Sequence, residues 1–317
     1  MALTNFPNGI SSFGIPVYGS GGYPGIAVPT GNVWFVNSVN GANGNAGTSA
    51  QYPFATLAYA ITQATASNGD IIYLEPGHAE TYSTATALTL SKAGITIIGL
   101  GNGSMRPTFT FDTIIGATIN VTAANVTIAN CIFTANFADV TSFFTLTTAK
   151  FFTLDSCYFK ATAVNMNSTY VVDTNATTND ADGLQITNCQ WIEVDTATIG
   201  WVKMDGTNDN VIFSRNFSNL GVNDNKALIM VANGKVVTNL QMTYNNTIRL
   251  QTDSATGAFL FHTNGSTNTG IVAGNFTQHA EAAAEIIVTA SSGLSLFQNY
   301  SSGVNGNSGY VIATIDT

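Results

Sequence analysis

Charge is what this 317-residue chain has least of. Only 9% of its residues are Asp, Glu, Lys or Arg, against about a quarter in ordinary soluble domains. Nine Lys and Arg stand against eighteen Asp and Glu, a net charge of −9. So few cations assemble no basic patch that could release phosphate counterions, which argues against a nucleic-acid partner. Cysteine is scarce as well: Cys131, Cys157 and Cys189 are the three present. No apolar run reaches the ~20 residues that span a bilayer, so no membrane partner is expected. The opening residues lack the basic region and apolar core of a secretory leader, which leads us to expect synthesis and assembly in a cytoplasm. With charge this rare the surface has to be built from Thr, Asn, Ser and Gly. That composition suits strand faces and tight turns and disfavours long helices.

What is present is a recurring phrase. Val126 to Phe133 (VTIANCIF) returns as Phe152 to Phe159 (FTLDSCYF) and as Leu184 to Trp191 (LQITNCQW). Weaker copies run Val211–Ser218, Leu240–Thr247, Gly270–Thr277 and Leu294–Ser301, with Asn216, Asn245, Asn275 and Asn299 in place of cysteine. The mean spacing of about 28 residues is that of a solenoid repeat. Inside each copy apolar and polar residues alternate, the period of a strand with one buried face. Asn130, Ser156 and Asn188 follow the alternating run, and Asn tolerates the left-handed backbone of a sharp corner. The next residue then points inward. The three cysteines therefore form one buried column continued by the four asparagines, as free thiols rather than disulfides or metal ligands. Phe133, Phe159 and Trp191 form a second column.

A second apolar run follows each phrase, at 143–146, 170–172, 201–202, 227–231, 258–261, 286–288 and 310–313. Turn residues such as Asn179 to Gly183 and Asp205 to Asp209 separate the runs. Short strands with no helix between them fit one turn of a parallel β-helix. A propeller blade needs ~40 residues. The fold class predicted is all-β: a right-handed parallel β-helix with a capping helix and an extended N-terminal arm.

The chain divides into an arm over 1–32, a strand, loop and capping helix over 33–68, and the β-helix over 69–317. The arm holds Pro7, Pro16, Pro24 and Pro29, and no charged side chain precedes Asp70. Phe6, Pro7, Phe13, Ile15, Val17, Tyr18 and Tyr23 spread apolar surface along a segment too extended to bury it alone, so we read them as a partner-binding arm. Val33 to Val36 is a strand. Pro53 to Ala64 is the one helix, with Pro53 in its first turn and Phe54, Leu57, Ala58 and Ile61 on one face. Gly69 to Gly77 is a strand closed by a turn.

These residues carry a resemblance. PFATL at 53–57, AITQA at 60–64 and GDIIYLEPG at 69–77, with the repeats behind them, resemble the opening of right-handed β-helix proteins of the pectate-lyase-like superfamily. That superfamily holds lyases, hydrolases, phage tailspikes and non-enzymatic virion proteins, so the resemblance implies a fold and leaves function open. The opening LTNFPNGISSFGIPV at 3–17 is similar to the N-termini of tailed-phage structural proteins.

Polysaccharide-cleaving β-helices use clustered carboxylates with Arg or Lys and sometimes calcium. Neither a lyase nor a polygalacturonase pattern is present. His78, His262 and His279 lie far apart in the repeat and read as structural or exposed. Among the acids, Asp180, Asp182, Asp205 and Asp209 are the best candidates. Asp182 and Asp209 take the same place on adjacent coils and Lys150 takes it one coil earlier, so a Lys150–Asp182 pair beside Asp209 is the plainer expectation than a calcium site. Glu193 and Asp195 form a weaker pair. Tyr158, Tyr170, Trp191 and Trp201 could line a groove, though alternation places Trp191 in the core and leaves Trp201 open. No catalytic, cofactor or metal residue is assigned. The expectation is a phage virion structural protein, a capsid decoration or cement protein on the capsid surface, contacting the major capsid protein or another virion protein through its arm. A homotrimer is implied by analogy with other phage β-helices. The alternative is a receptor-binding tailspike or polysaccharide-degrading enzyme that meets a cell-surface glycan.

Overall fold

The computed structural model describes residues 10–12, 15–17, 31–85, 88–163, 166–192, 200–220, 227–249, 258–263, 267–279, 286–288, 293–302 and 309–310. They form a parallel β-solenoid with three long sheets. The first holds ten strands, from Val33–Val36 and Ile71–Leu74 to Gly293–Phe297. The second runs from Ala79–Tyr82 to Tyr300–Ser302 and the third from Leu88–Leu90 to Ile286–Val288. Pairing within them is parallel, except that Gly309–Tyr310 turns back antiparallel on Tyr300–Ser302. Register is strict: Thr96, Thr127, Thr153, Gln185 and Ile212 stand one above another on successive coils. Coil length varies, with 32 residues from Cys157 to Cys189 and 24 from Asn275 to Asn299.

Two columns of left-handed residues turn each coil. At the corner between the first and second sheets stand Asn130, Ser156, Asn188, Arg215, Tyr244 and Gln298, with φ between 48° and 57°. Gly274 completes this column with φ 66°. The Asn130, Ser156 and Asn188 corners are as the sequence predicts. Arg215 and Tyr244 are there because the corner amide donates to a carbonyl on the next coil, Thr243 O at 3.0 Å and Ala273 O at 3.1 Å respectively. That bond offsets the cost of left-handed φ for a branched or bulky residue. The second column enters the first sheet at Asn125, Phe151, Gly183, Asn210 and Asn239.

Directly after the first corner comes the predicted inner column. Cys131, Cys157 and Cys189 are buried free thiols. The Cys157 amide donates to Cys189 Sγ at 3.3 Å, and the Cys189 amide to Asn216 Oδ1 at 3.0 Å. From there the asparagines bond along the axis. Asn216 N reaches Asn245 Oδ1 at 2.9 Å, Asn245 N reaches Asn275 Oδ1 at 3.0 Å, and Asn275 N reaches Asn299 Oδ1 at 3.1 Å. Each side-chain amide also donates inward, as Asn245 Nδ2 does to Phe213 O at 3.0 Å. A buried amide is costly when unpaired and stabilising when every lone pair and proton is matched, as here.

The aromatic column stacks beside it. Phe109 and Phe133 lie 5.5 Å apart and Phe133 and Phe159 5.3 Å apart, both at 16°. Trp191 continues the register, followed by Ser218 and Thr247. The core thus changes along the axis from stacked rings to hydroxyls. Trp201 sits at that junction.

The helix is shorter than predicted. It spans Leu57–Gln63, capped by Thr56, whose Oγ1 accepts from Tyr59 N at 3.3 Å. Pro53 lies outside it because Phe54 is used as strand: its amide donates to Phe35 O, and it bridges Val36. The buried face is Leu57, Ala60 and Ile61, not Ala58, which is exposed. The helix covers the open end of the first coils, as a solenoid terminus requires.

Candidate functional site

At Gly31 and Asn32 the backbone packs against a single carboxylate. Asp70 is fully buried. It accepts from the Asn32 amide at 2.8 Å, the Thr65 amide at 2.8 Å, Asn68 Nδ2 at 2.7 Å and Trp34 Nε1 at 3.3 Å. Gly31 has no alternative: a Cβ there would fall 2.3 Å from Asp70 Oδ1 and 2.5 Å from Asn68 O. Burial alone would raise the Asp70 pKa, but the donated amides of Thr65 and Asn32 and the side chains of Asn68 and Asn32 outweigh it and hold the carboxyl below its ordinary 3.8. A group depressed on folding contributes stability above its unfolded pKa and loses it as pH falls through the folded value. We therefore expect the first coils to open below about pH 3.8, read as acid-induced loss of Trp34 fluorescence, and this step to flatten in Asp70→Asn.

Of the arm, two short strands are described. Ile10–Ser12 pairs antiparallel with Ile15–Val17, with Ile10 opposite Val17. The described part is therefore not one continuous strip, since its two strands run antiparallel. Ile15 and Val17 lie in the second strand. Phe6, Pro7, Phe13, Tyr18 and Tyr23 lie outside the described residues, as do Glu193 and Asp195.

The acids sort as the register dictates. Lys150 and Asp182 are joined at 3.1 Å, and the Asp209 amide donates to Asp182 Oδ1 at 2.9 Å. Asp209 in turn accepts from Thr238 Oγ1 at 2.6 Å, Asn239 Nδ2 at 2.8 Å and both nitrogens of Asn210. The Thr238 hydrogen bond leads in holding its pKa below 3.8. These carboxylates knit coil to coil. Asp180 is buried separately, 3.5 Å from Asn175 Nδ2. Asp205 does not join them. It turns to the third sheet, where Lys203 Nζ lies 2.6 Å away.

His78 is a buried structural residue. The Ser38 amide donates to its Nδ1 at 3.0 Å, and its Nε2 faces Glu80 Oε1 at 3.2 Å. The Glu80 carboxylate also accepts the first helical amide, that of Leu57, at 2.6 Å. His262 and His279 lie in strands on separate coils. Trp191 and Trp201 are both interior, so neither lines a surface groove. Tyr158 carries Arg106 5.7 Å above its ring. Asp173 and Lys203 had no signal in the sequence, since nothing but the coil register makes them neighbours.

No protein-family model matches the chain, and no curated protein matches it. Solved structures do. A GH136 lacto-N-biosidase from Eubacterium ramulus matches with a TM-score of 0.59 at 11% identity, over 85% of this chain and 56% of its own. Pectate lyase Pel9A matches with a TM-score of 0.46 at 15% identity, over 84% and 79%. Geobacillus virus E2 ORF18 matches with a TM-score of 0.35 at 13% identity, over 77% and 57%. The chain thus spans little more than half the length of the lacto-N-biosidase, and at this identity the likeness is one of fold: a parallel β-helix.

Proposed function

We propose that this chain is a non-enzymatic structural protein of a phage virion, a capsid decoration or cement protein that attaches through residues 1–32 and acts as a homotrimer. One observation carries the reading. The described body closes its N-terminal end with the Leu57–Gln63 helix and the Asp70 cluster. An uncharged segment rich in Phe, Tyr and Pro precedes it in the sequence. Its apolar side chains stabilise a complex at ~25 cal/mol per Å² buried, and proline reduces the entropy lost on ordering. The coil-edge acids support the same reading, because Lys150, Asp182 and Asp209 are engaged with one another and with neighbouring turns. The test is sedimentation with undecorated capsids. A chain beginning at Gly31 is expected to stay folded by circular dichroism and remain in the supernatant, while the full chain pellets, in high salt as well as low. Equal pelleting of the two forms would remove the arm as the anchor.

A further inference from the structure

The last three described coils change character at the corner between the first and second sheets. Among the described residues, five of the ten large apolar side chains exposed at the surface gather there. They are Tyr244, Ile271, Phe276, Phe297 and Tyr300, each 40 to 67% exposed. Ile271 and Phe297 stand on the outer face of the first sheet. Phe276 and Tyr300 stand in register on the second. Tyr244 is the corner residue itself, with its ring over Gly274, where a Cβ would fall 2.7 Å from Tyr244 Cε1. The coil repeat does not require this apolar surface. Earlier coils hold Asp155, Thr187 and Ser214 at the Phe297 position and Gln241 at the Ile271 position. Those coils fold with polar side chains in the same places, which leaves the apolar ones to a contact outside the coil.

Charge decides what can cover this corner. Residues 240–248, 269–278 and 293–302 carry no Asp, Glu, Lys or Arg, in a chain whose net charge is −9. Copies of so acidic a chain repel one another across most of their surface. Here they can meet without burying an unpaired charge, and aromatic side chains supply the contact area. A partner recognised by its charge finds nothing here to pair with. Shape then sets the number of neighbours. Apolar groups flank the corner on both sheets, so one flat neighbour covers one side and leaves the other in water. Two neighbours cover both sides when the first-sheet side of one copy meets the second-sheet side of the next, a head-to-tail contact that closes into a ring. We infer that a second copy of this chain docks on each side of the corner, so that three copies close the ring through Ile271, Phe276, Phe297 and Tyr300. The inference rests on the homotrimer proposed above and names the surface that holds it. Attachment through residues 1–32 plays no part in it.

Sedimentation equilibrium in high salt, where repulsion between the copies is screened, measures the copy number. The full chain is expected as three copies, and so is a chain beginning at Gly31. Phe276→Asp combined with Phe297→Asp sets two carboxylates into the contact and is expected to raise the concentration of half-dissociation at least ~100-fold. Both side chains are exposed in the single copy, so the parent's circular dichroism is expected to persist. If that double variant does not fold, Phe297→Ser decides alone, since Ser214 already holds this position on an earlier coil. It is expected to weaken the contact ~10-fold. Val39→Asp, 75% exposed on the first coil, is expected to sediment as the parent does. A full chain of one or two copies, site variants that hold three copies as tightly as the parent, or a trimer lost with residues 1–30 overturns the inference. Failure of a trimeric full chain to pellet with capsids would instead remove the attachment reading and leave this one standing.

Discussion

Asn245→Ala is expected to destabilise the protein by about 4 kcal/mol, read as a drop in urea midpoint. Asn245 is 1% exposed. Its Oδ1 accepts from the Asn216 amide at 2.9 Å and Asn216 Nδ2 at 3.2 Å, and its Nδ2 donates to Phe213 O and to Asn275 Oδ1. Alanine strands the Asn216 amide and the Phe213 carbonyl in the interior, and each buried unmatched group costs ~1–3 kcal/mol. Asn245→Cys is expected to cost about half as much, because a thiol already holds this place two coils earlier. There Cys189 Sγ accepts the Cys157 amide at 3.3 Å. A cysteine variant as damaging as alanine would show that the column works through the amide network alone.

Trp201→Ala is expected to cost about 4 kcal/mol and to open the middle of the solenoid before its ends. Trp201 is fully buried and lies 5.4 to 5.6 Å, ring to ring, from Phe159, Trp191 and Phe213. Its Nε1 donates to Ser218 Oγ at 2.6 Å. Truncation leaves a cavity where the core changes from rings to hydroxyls, and leaves the Ser218 hydroxyl unmatched. Trp201→Phe fills most of the space and is expected to recover more than half the loss. In a solenoid each coil is held by its neighbours, so the damage is local. Hydrogen exchange should accelerate most in the coils of Tyr170, Trp201 and Ile229. Uniform acceleration from Ile72 to Leu296 would contradict this.

The column of Cys131 to Asn299 was legible because one position changes from thiol to amide while its spacing persists. Asn130 and Asn188 were legible as corners from residue type. Arg215, Tyr244 and Gln298 were not; at Arg215 and Tyr244 a carbonyl on the next coil, not the side chain, makes the left-handed turn tolerable. The coil just before Val126 lacks the phrase because left-handed Gly101 and the short helical turn at Gly103–Met105 replace the single-residue corner. The helix start was misjudged because Pro53 suits a first turn, while the pairing of Phe54 with Val36 is a tertiary event. The Lys150–Asp182 pair followed from counting back to strand starts. Asp205 misled for the same reason: it shares a turn with Asp209, yet its side chain follows Lys203 onto another face. Asp173 and Lys203 belong to different coils of unequal length, so no local pattern links them.

The central claim is that the arm, and not the body, meets the virion. Hydrogen–deuterium exchange of the full chain, alone and with undecorated capsids, tests it most directly. The account predicts that peptides within residues 1–30 slow at least tenfold on capsids while the coils from Val33 onward exchange as before. Slowing on the outer faces of the coils, with residues 1–30 unchanged, would contradict it.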